Sequence, residues 1–409
     1  GIDLTTYDFT RPMFLGNIID CGITQNKSVL NPYTGQENYI FDQISAVNFL
    51  PAYTSTNLSI VYQDLFSFIG SFSKEAGASA FGVVSASASA SELWQRTSNF
   101  TAVLVMNFAR LDSYSISINQ GLNMSNSVKS MIAKLPANYW TNDNWPIWFN
   151  HFNSQVGTSY VKTVALGGWF QYLNWLAAEY FQSVTSAEMA YELSIDFGAA
   201  FSAHGGSSKT TQQASSSYIA ASSVSISCLG GADIIDCMQT DYDQAAFARW
   251  LASVNTLPYP LNMTFGWNWE LLENGSPVQL LYRNTTTSYL NQVGAASLSD
   301  KLSELITGLN GYLDRFTKCQ CPSPAVIPIQ QAIADYITNI ASDRDNVNTM
   351  ALDVLYLSSG EATDYLTNTF NVKLKQYVTD VNGPQIQVTC GRGVAPCDSI
   401  AFPANVINH

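Results

Sequence analysis

The 409-residue sequence has little charge, little histidine and no long apolar run. Lys, Arg, Asp and Glu make up 12% of the residues, about half the share in an average soluble domain, whereas hydrophobic residues make up 46%. The chain is therefore apolar enough to form a packed core. Ser, Thr, Asn and Gln take the place of the missing charges, and this composition favours an extracellular protein over a cytosolic one.

The shortage of histidine leaves little for His-based catalysis or metal binding, since only His151, His204 and His409 are present. The sequence has no His-Glu-x-x-His pair, P-loop, nucleophile elbow or zinc-type cysteine pairing. Acidic stretches at residues 241–243 and 343–346 lack the glycine and glutamate of a calcium-binding EF-hand, so we interpret them as solvated surface. The sequence thus predicts a protein that is not an enzyme and uses no metal or other cofactor.

No part of the chain reaches the ~18 consecutive apolar residues of a membrane-spanning helix. The apolar run at residues 101–106 is too short, and the run at 169–181 is interrupted by Gln171, Asn174 and Glu179. The chain begins at Gly1 without a signal peptide, so we expect a processed, secreted form. If such a protein acts on a membrane, it does so without a ready-made helical anchor.

The formal net charge is -13, and the isoelectric point is about 4.5. Nucleic-acid binders are usually basic, so no nucleic-acid partner is expected. On average, the same charge repels anionic lipid at neutral pH. Contact with a membrane would therefore need a local patch, a receptor, a neutral lipid or acidification.

Asparagine and cysteine residues favour the secretory route. The sequons for N-glycosylation lie at Asn26, Asn57, Asn99, Asn123, Asn262, Asn274 and Asn284. Among seven cysteines, Cys228 with Cys237 and Cys390 with Cys397 are spaced for short disulfide loops, and buried thiols are the alternative. The odd number leaves at least one cysteine unpaired.

Hydrophobic periodicity predicts a mixture of long strands and helices. Strands are predicted at residues 101–118, 159–181 and 261–272. Helices are predicted at residues 124–135, 145–155, 243–253, 302–316, 327–340 and 351–366. Residues 379–409 are predicted to be irregular.

Two regions suit a helix and a strand equally well: residues 51–96 and residues 183–228. Each contains small residues in alternation, which is the period of a strand, yet Ala is a strong helix former. The alternating positions are Ser85, Ala86, Ser87, Ala88, Ser89 and Ala90 in the first region and Val224 and Ile226 in the second. A low-complexity helix or loop is the alternative interpretation.

The motif that separates these two regions is Val-Gly-Thr-Ser-Tyr and then, after six intervening residues, Gly-Gly. It resembles the signature of the membrane-attack-complex/perforin (MACPF) family, which is aromatic-Gly-Thr-His-aromatic and then Gly-Gly. The matching residues are Gly157, Thr158, Tyr160, Gly167 and Gly168. Val156 stands in place of the first aromatic residue, and Ser159 stands in place of the histidine.

The order of the surrounding features is also similar to that of the family. A helix and a Leu-Pro step precede the motif at residues 131–136. After the second region come Gly230 and Gly231, then the predicted helix that carries Trp250, and then a proline-bearing strand. The resemblance covers roughly residues 1–290.

This resemblance implies an α+β fold: a bent, twisted antiparallel sheet flanked by two helical clusters in a domain at residues 1–290. A helical or irregular C-terminal extension of unknown role would follow at residues 291–409. The resemblance also implies that the glycines of the motif, with Gly230 and Gly231, act as hinges of the sheet. Each cluster has roughly 45 residues, and a membrane-spanning strand needs only ~9–11.

The function implied is that of a pore-forming protein. Its partners would be membrane lipid or a membrane receptor and further copies of itself in a ring, in which the clusters unfold into inserted β-hairpins that form a transmembrane barrel. Its location would be extracellular or inside a granule or vesicle before insertion. A non-lytic family member with a structural, adhesive or developmental role is the alternative, because the two clusters are only weakly apolar.

Overall fold

The computed structural model describes residues 1–5, 14–49, 56–62, 102–119, 121–177, 215–232, 249–250, 252–319, 321, 323–381, 383–390 and 399–407. The chain divides into two compact units. The first consists of Gly1–Gly77, Ala88–Leu135 and Asn150–Gln279, and the second consists of Ala78–Ser87, Pro136–Phe149 and Leu280–His409. The predicted domain boundary near residue 290 stays a prediction.

The first unit is built on antiparallel strands rich in β-branched and aromatic residues, which favour extended backbone. They are β1 (Ser28–Leu30), β2 (Glu37–Tyr39), β3 (Ile44–Phe49), β4 (Thr56–Tyr62), β5 (Ala102–Ile118), β6 (Ser159–Ala177), β7 (Ser222–Leu229) and β8 (Tyr259–Trp267). Strands β3 to β8 form one six-stranded sheet, while β1 and β2 form a separate hairpin. The three predicted strands are therefore confirmed, although the last one ends in a short 3-10 helix at Asn268–Leu271.

The two longest strands, β5 and β6, each change partner part-way along. One half of β5 pairs with β4 and the other with β3, while one half of β6 pairs with β7 and the other with β8. Both changes occur at one level, because Leu111 and Asp112 of β5 lie opposite Gly168 and Gly167 of β6. We call this line the seam, with the β4-β5-β6-β7 half above it and the β3-β5-β6-β8 half below it. A bulge at Ser113 interrupts the ladder there.

Of the described short helices that lie between these strands in the sequence, the first two were predicted, and the third falls in the region that suited a helix and a strand equally well. They are α1 (Asn126–Ile132), α2 (Trp145–Asn150) with a π-helical continuation (His151–Gln155), and α3 (Ser216–Ala221). The hydroxyl of Ser125 caps α1 by accepting the Val128 N–H at 3.3 Å. The predicted helix at 243–253 is helical at residues 249–250 and 252–253, and its remaining residues lie outside the described ones.

Most of the second unit is helical. Its elements are α4 (Pro277–Lys318), α5 (Ser323–Ala351), α6 (Val354–Leu357), α7 (Gly360–Asp364) with a π-helical continuation (Tyr365–Phe370), α8 (Asn371–Val381), β9 (Gln385–Thr389), β10 (Ser399–Pro403) and α9 (Ala404–Ile407). None of the helices in the described part of the chain is long and apolar enough to cross a membrane.

Two sequence predictions for this unit are wrong. The single helix expected at 351–366 is divided, because Asp353 and Ser359 each accept a backbone N–H at the start of a new helix. The stretch at residues 379–409, predicted to be irregular, contains β9 and β10, which pair as an antiparallel hairpin.

Polar groups connect α5 to α8. The carboxylate of Asp343 accepts a hydrogen bond from Tyr377 at 2.7 Å, and that of Asp380 accepts one from Tyr336 at 2.8 Å.

The predicted disulfide between Cys390 and Cys397 is wrong. Cys390 is bonded to Cys321, 69 positions away in the sequence, because the fold brings the end of β9 to the turn between α4 and α5 with a Cα–Cα distance of 4.4 Å. Cys228 and Cys319 each take part in a disulfide bond as well. Cys237 and Cys397 lie outside the described residues. Cys21 is a free, exposed cysteine, as the odd count requires.

Candidate functional site: the signature strand and the seam

The first glycine of the signature, Gly157, allows the start of the chain to approach β6. Its φ is +79°, and a Cβ at this position would overlap the carbonyl group of Ile2. The carbonyl oxygen of Ile2 accepts the N–H groups of Thr158 at 2.9 Å and Ser159 at 3.0 Å. Close backbone approach, and not a bend within a strand, is therefore what requires glycine here.

Thr158 is fully buried and connects three segments. Its hydroxyl accepts the N–H of Leu4 at 3.3 Å, and its carbonyl oxygen accepts the N–H of Asn268 at 3.1 Å. The Asn268 side chain in turn donates to the Gly157 carbonyl at 2.8 Å. These bonds fix the beginning of β6 to the start of the chain on one side and to the end of β8 on the other.

Tyr160 lies in a polar cluster with Lys162 and Glu270. Its hydroxyl donates to the Glu270 carboxylate at 3.4 Å, and the Lys162 ammonium lies 2.7 Å from the same carboxylate. Burial, followed by the negative charge of Glu270 and this hydrogen bond, raises the pKa of Tyr160 to about 12. The phenol therefore stays protonated at physiological pH and acts as a hydrogen-bond donor.

An open groove of about 780 Å³ adjoins this cluster. Hydroxyl groups line much of it, and several are already hydrogen-bonded: the hydroxyl oxygens of Thr163 and Thr264 lie 2.5 Å apart, and Ser45 donates to the Ser117 carbonyl at 3.0 Å. Within the described residues, no group of three or more His, Cys, Asp or Glu side chains could hold a metal ion.

The other signature glycines, Gly167 and Gly168, lie at the seam. A Cβ on Gly168 would be 2.7 Å from a methyl carbon of Val254 and 3.3 Å from the ring of Trp250. Gly230 has a φ of +79°, and a Cβ there would overlap the carbonyl oxygen of Gly167. Gly168 is thus required by the side chains that pack against β6, and Gly230 is required because the chain leaving β7 comes close to Gly167.

Gly231 and Trp250 complete this contact. Gly231 has a φ of +83°, and a Cβ there would lie 2.8 Å from the Trp250 ring. The indole N–H of Trp250, a fully buried residue, donates to the Gly230 carbonyl at 2.6 Å. The hydroxyl of Ser253 accepts the N–H of Ala232 at 2.8 Å and donates to the Trp250 carbonyl at 2.7 Å. We call Gly167, Gly168, Gly230, Gly231, Trp250 and Ser253 the hinge cluster.

A sequence profile of the MAC/Perforin domain matches residues 6–299, which is well over half of the chain. The chain belongs to the MAC/Perforin family. The family resemblance seen in the signature is therefore confirmed, and so is the α+β fold with its antiparallel sheet. No curated protein matches the sequence.

Two solved structures resemble this MAC/Perforin chain. One is GNIP1Aa from Chromobacterium piscinae, at 14% identity and a TM-score of 0.49, and the match covers 71% of this chain and 55% of that one. The other is described as a Gram Negative Toxin, at 13% identity and a TM-score of 0.25, and covers 54% of this chain and 43% of that one. The chain thus spans about half the length of the structures it matches.

The predicted hinge residues of the MAC/Perforin chain form two groups. Gly167, Gly168, Gly230 and Gly231 come together in the hinge cluster, whereas the other three lie at the beginning of β6. The groups lie about 30 Å apart along the strand at ~3.3 Å per residue. Sequence reasoning named Trp250 only as a family landmark and missed its contacts, although a tryptophan close to a Gly-Gly pair is a usable signal, since glycines leave room for a large ring.

The predicted membrane-hairpin positions are only partly described. Residues Ser85, Ala86, Ser87, Ala88, Ser89 and Ala90 lie outside the described residues. Val224 and Ile226 lie in β7, opposite Asn174 and Tyr172 of β6. The alternation in the second region therefore marks a strand that is already part of the sheet, and its entry into a membrane stays a prediction.

The predicted glycosylation sites differ in their surroundings. Asn26, Asn123, Asn274 and Asn284 are exposed, as a glycan requires. Asn57 lies in β4 and Asn262 lies in β8, while Asn99 lies outside the described residues. Whether any of these sites carries a glycan stays a prediction.

Proposed function

We propose that this chain is a secreted, perforin-like protein that assembles into rings on membranes and inserts two β-hairpins per subunit to form a pore. Its targets are membrane lipid or a membrane receptor, and its own copies are its partners in the ring. The observation that carries this proposal is the strand register in the upper half of the sheet.

The two regions predicted to insert, residues 51–96 and 183–228, each overlap a segment that joins two paired strand ends. Tyr62 of β4 lies opposite Leu104 of β5, and Leu176 of β6 lies opposite Ser222 of β7. The chain between each pair, residues 63–103 and 177–221, is thus an insertion between neighbouring antiparallel strands. If such an insertion becomes extended, it lengthens both strands of an existing hairpin and changes neither the strand order nor the register.

The lengths of these insertions fit a bilayer. Each arm of an extended hairpin would have roughly 20 residues, about twice the ~9–11 that a spanning strand needs. The Ser-Ala alternation at residues 85–90 would direct one set of side chains to lipid and the other to water. Because every backbone polar group in lipid must be paired, hairpins from many copies must close into a barrel, which is why the proposal includes a ring.

Secretion is supported by two features of the described residues. The exposed sequons are available for glycosylation in the secretory pathway. The Cys321–Cys390 disulfide is of a kind that persists in oxidising compartments and is rare in the cytosol.

A non-lytic extracellular role is the second candidate, and the composition of the first insertion favours it. Alanine provides little apolar area, so a hairpin face of Ala86, Ala88 and Ala90 gains less from entering lipid than one of Leu or Val would. In a non-lytic protein the insertions would stay outside the bilayer, and membranes would stay intact.

The two candidates are separated by dye release from liposomes of neutral and mixed composition, from pH 7.5 to pH 5, with negative-stain images of the same membranes. The pore proposal expects leakage together with rings. Intact liposomes across all lipids and pH values, with protein that stays monomeric, would favour the non-lytic role.

A further inference from the structure

The largest buried side chain of the hinge cluster, Trp250, reaches across the seam. Trp250 belongs to the segment that leads into β8, below the seam, yet its indole N–H bonds to Gly230, where the chain leaves β7 above the seam. Its ring also faces Gly168 of β6, 3.3 Å from the position of a Cβ. A single side chain thus contacts both halves of the sheet at the line where they meet.

Three hydrogen bonds join the chain leaving β7 to the segment that carries this ring. The N–H of Gly231 donates to the Leu257 carbonyl at 2.7 Å, and the N–H of Ala232 donates to the Ser253 hydroxyl at 2.8 Å. The third is the Gly230 carbonyl, which accepts the indole N–H itself. Because Gly231 leaves no room for a Cβ beside the ring, the backbone there is shaped to the indole, and withdrawal of the indole would leave a void and an unpaired carbonyl.

We propose that Trp250 is the latch that fixes the end of β7 to the lower half of the sheet before insertion. Among the described strands, β7 is one edge of the upper half and pairs only with β6. The indole is carried by the segment that leads into β8 and bonds to the chain that leaves β7, so movement of the end of β7 away from the lower half would break this bond. The effect of this contact on membrane insertion rests on the proposed function. The contact itself exists in the protein in solution and can be tested there.

The test in solution compares the variants Trp250→Phe and Trp148→Phe by amide hydrogen exchange. Trp148 is a matched control, because it is also fully buried and its indole N–H donates to a backbone carbonyl, that of Pro136, at 2.9 Å. Both variants lose one indole hydrogen bond. We expect Trp250→Phe to lower the protection of Gly231 and Ala232 about tenfold, the effect of one lost hydrogen bond, and Trp148→Phe to leave these two amides unchanged.

Ser253→Ala is a milder variant that keeps the ring, and it is expected to lower the protection of Ala232 without unfolding the chain. The latch proposal is wrong if the amides of Gly231 and Ala232 are as protected from hydrogen exchange in Trp250→Phe as in the unmodified protein. It is also wrong if Trp148→Phe exposes them equally, because the effect would then be a general loss of stability.

A second readout connects the latch to insertion. If loss of the indole hydrogen bond loosens the seam before the protein meets a membrane, dye release from liposomes should be several-fold faster in Trp250→Phe than in the unmodified protein. The rate of dye release should be unchanged in Trp148→Phe. Faster exchange with an unchanged or slower release would overturn the role of Trp250 in insertion. If the unmodified protein releases no dye under any condition, the pore proposal fails, while the exchange data still decide whether the indole closes the seam.

Discussion

At the scale of single residues, some glycines of the chain are required by backbone conformation alone, and others are required by a close neighbour as well. Gly35 has a φ of +68° and no atom within 4 Å of where its Cβ would be, whereas Gly157 has a similar φ and the Ile2 carbonyl in that place. The two positions therefore allow the two costs to be measured separately.

The change Gly35→Ala should cost about 1–2 kcal/mol, the cost of a left-handed backbone for an L-residue. Gly157→Ala should cost at least about 2 kcal/mol more, because the added methyl also displaces the chain around Ile2. Denaturant unfolding of both variants provides the measurement. Equal losses of stability would show that the contact between Ile2 and β6 does not form.

His151 provides a second prediction at this scale, because it is fully buried. Burial lowers its pKa to about 4, a shift that the hydrogen bond with Gln155 only partly opposes. Between pH 6.5 and pH 4 the unfolded chain therefore binds a proton that the folded chain does not, so stability falls as the pH falls through this window.

The change His151→Gln should remove up to about 3 kcal/mol of this acid sensitivity, at 1.36 kcal/mol per pKa unit. Urea unfolding at pH 7 and at pH 4.5 measures it, and the difference between the two pH values should be smaller in the variant. The same difference in both proteins would show that His151 is not buried in its neutral form.

Individual site residues could be predicted from the sequence only where they belong to a short motif of neighbouring positions. The spacing of the signature identified Gly157, Gly167 and Gly168, because motif positions are read directly from the sequence. What each glycine contacts was not predictable, since Ile2, Gly230 and Trp250 lie far away along the chain. Only the fold brings those residues together.

At the scale of elements, the long strands and helices were predictable because each has a sustained period of hydrophobic residues. The sequence correctly placed β5, β6 and the part of α4 at residues 302–316. The prediction was wrong for the region after α5. There, the side chains of Asp353 and Ser359 each cap the start of a new helix and so divide an apparently continuous helical pattern. Likewise it missed the β9–β10 hairpin, because its two strands are short and stabilised by contacts outside the hairpin.

The pairing of Cys321 with Cys390 leads to the prediction at this scale. The bond closes a loop of 69 positions, so its loss should cost about 4 kcal/mol through the entropy of the unfolded chain. Thermal melting of the double variant Cys321→Ser/Cys390→Ser should show a clearly lower midpoint.

Cys21→Ser is the matched control, because Cys21 is the free, exposed cysteine and its replacement should leave the melting midpoint unchanged. An unchanged midpoint in the double variant as well would contradict the assigned pairing.

At the scale of the whole molecule, the acidic composition determines which membranes the protein can approach. With a net charge of -13, it should bind vesicles of zwitterionic lipid better than anionic vesicles at pH 7 and low salt. This difference should shrink as salt is added and as the pH approaches the isoelectric point of about 4.5. Co-sedimentation with the two kinds of vesicle measures it, and a preference for anionic lipid at pH 7 would reveal a local basic patch that outweighs the net charge.

The central claim is that the two insertions become membrane-spanning hairpins. Its most direct test places an environment-sensitive fluorophore on single cysteines introduced in turn at residues 85–90 in a Cys21→Ser background. On liposomes, labels at Ala86, Ala88 and Ala90 should show the blue-shifted emission of lipid, while labels at Ser85, Ser87 and Ser89 should keep that of water. Water-like emission at all six positions in protein that is bound to the liposomes would contradict hairpin insertion.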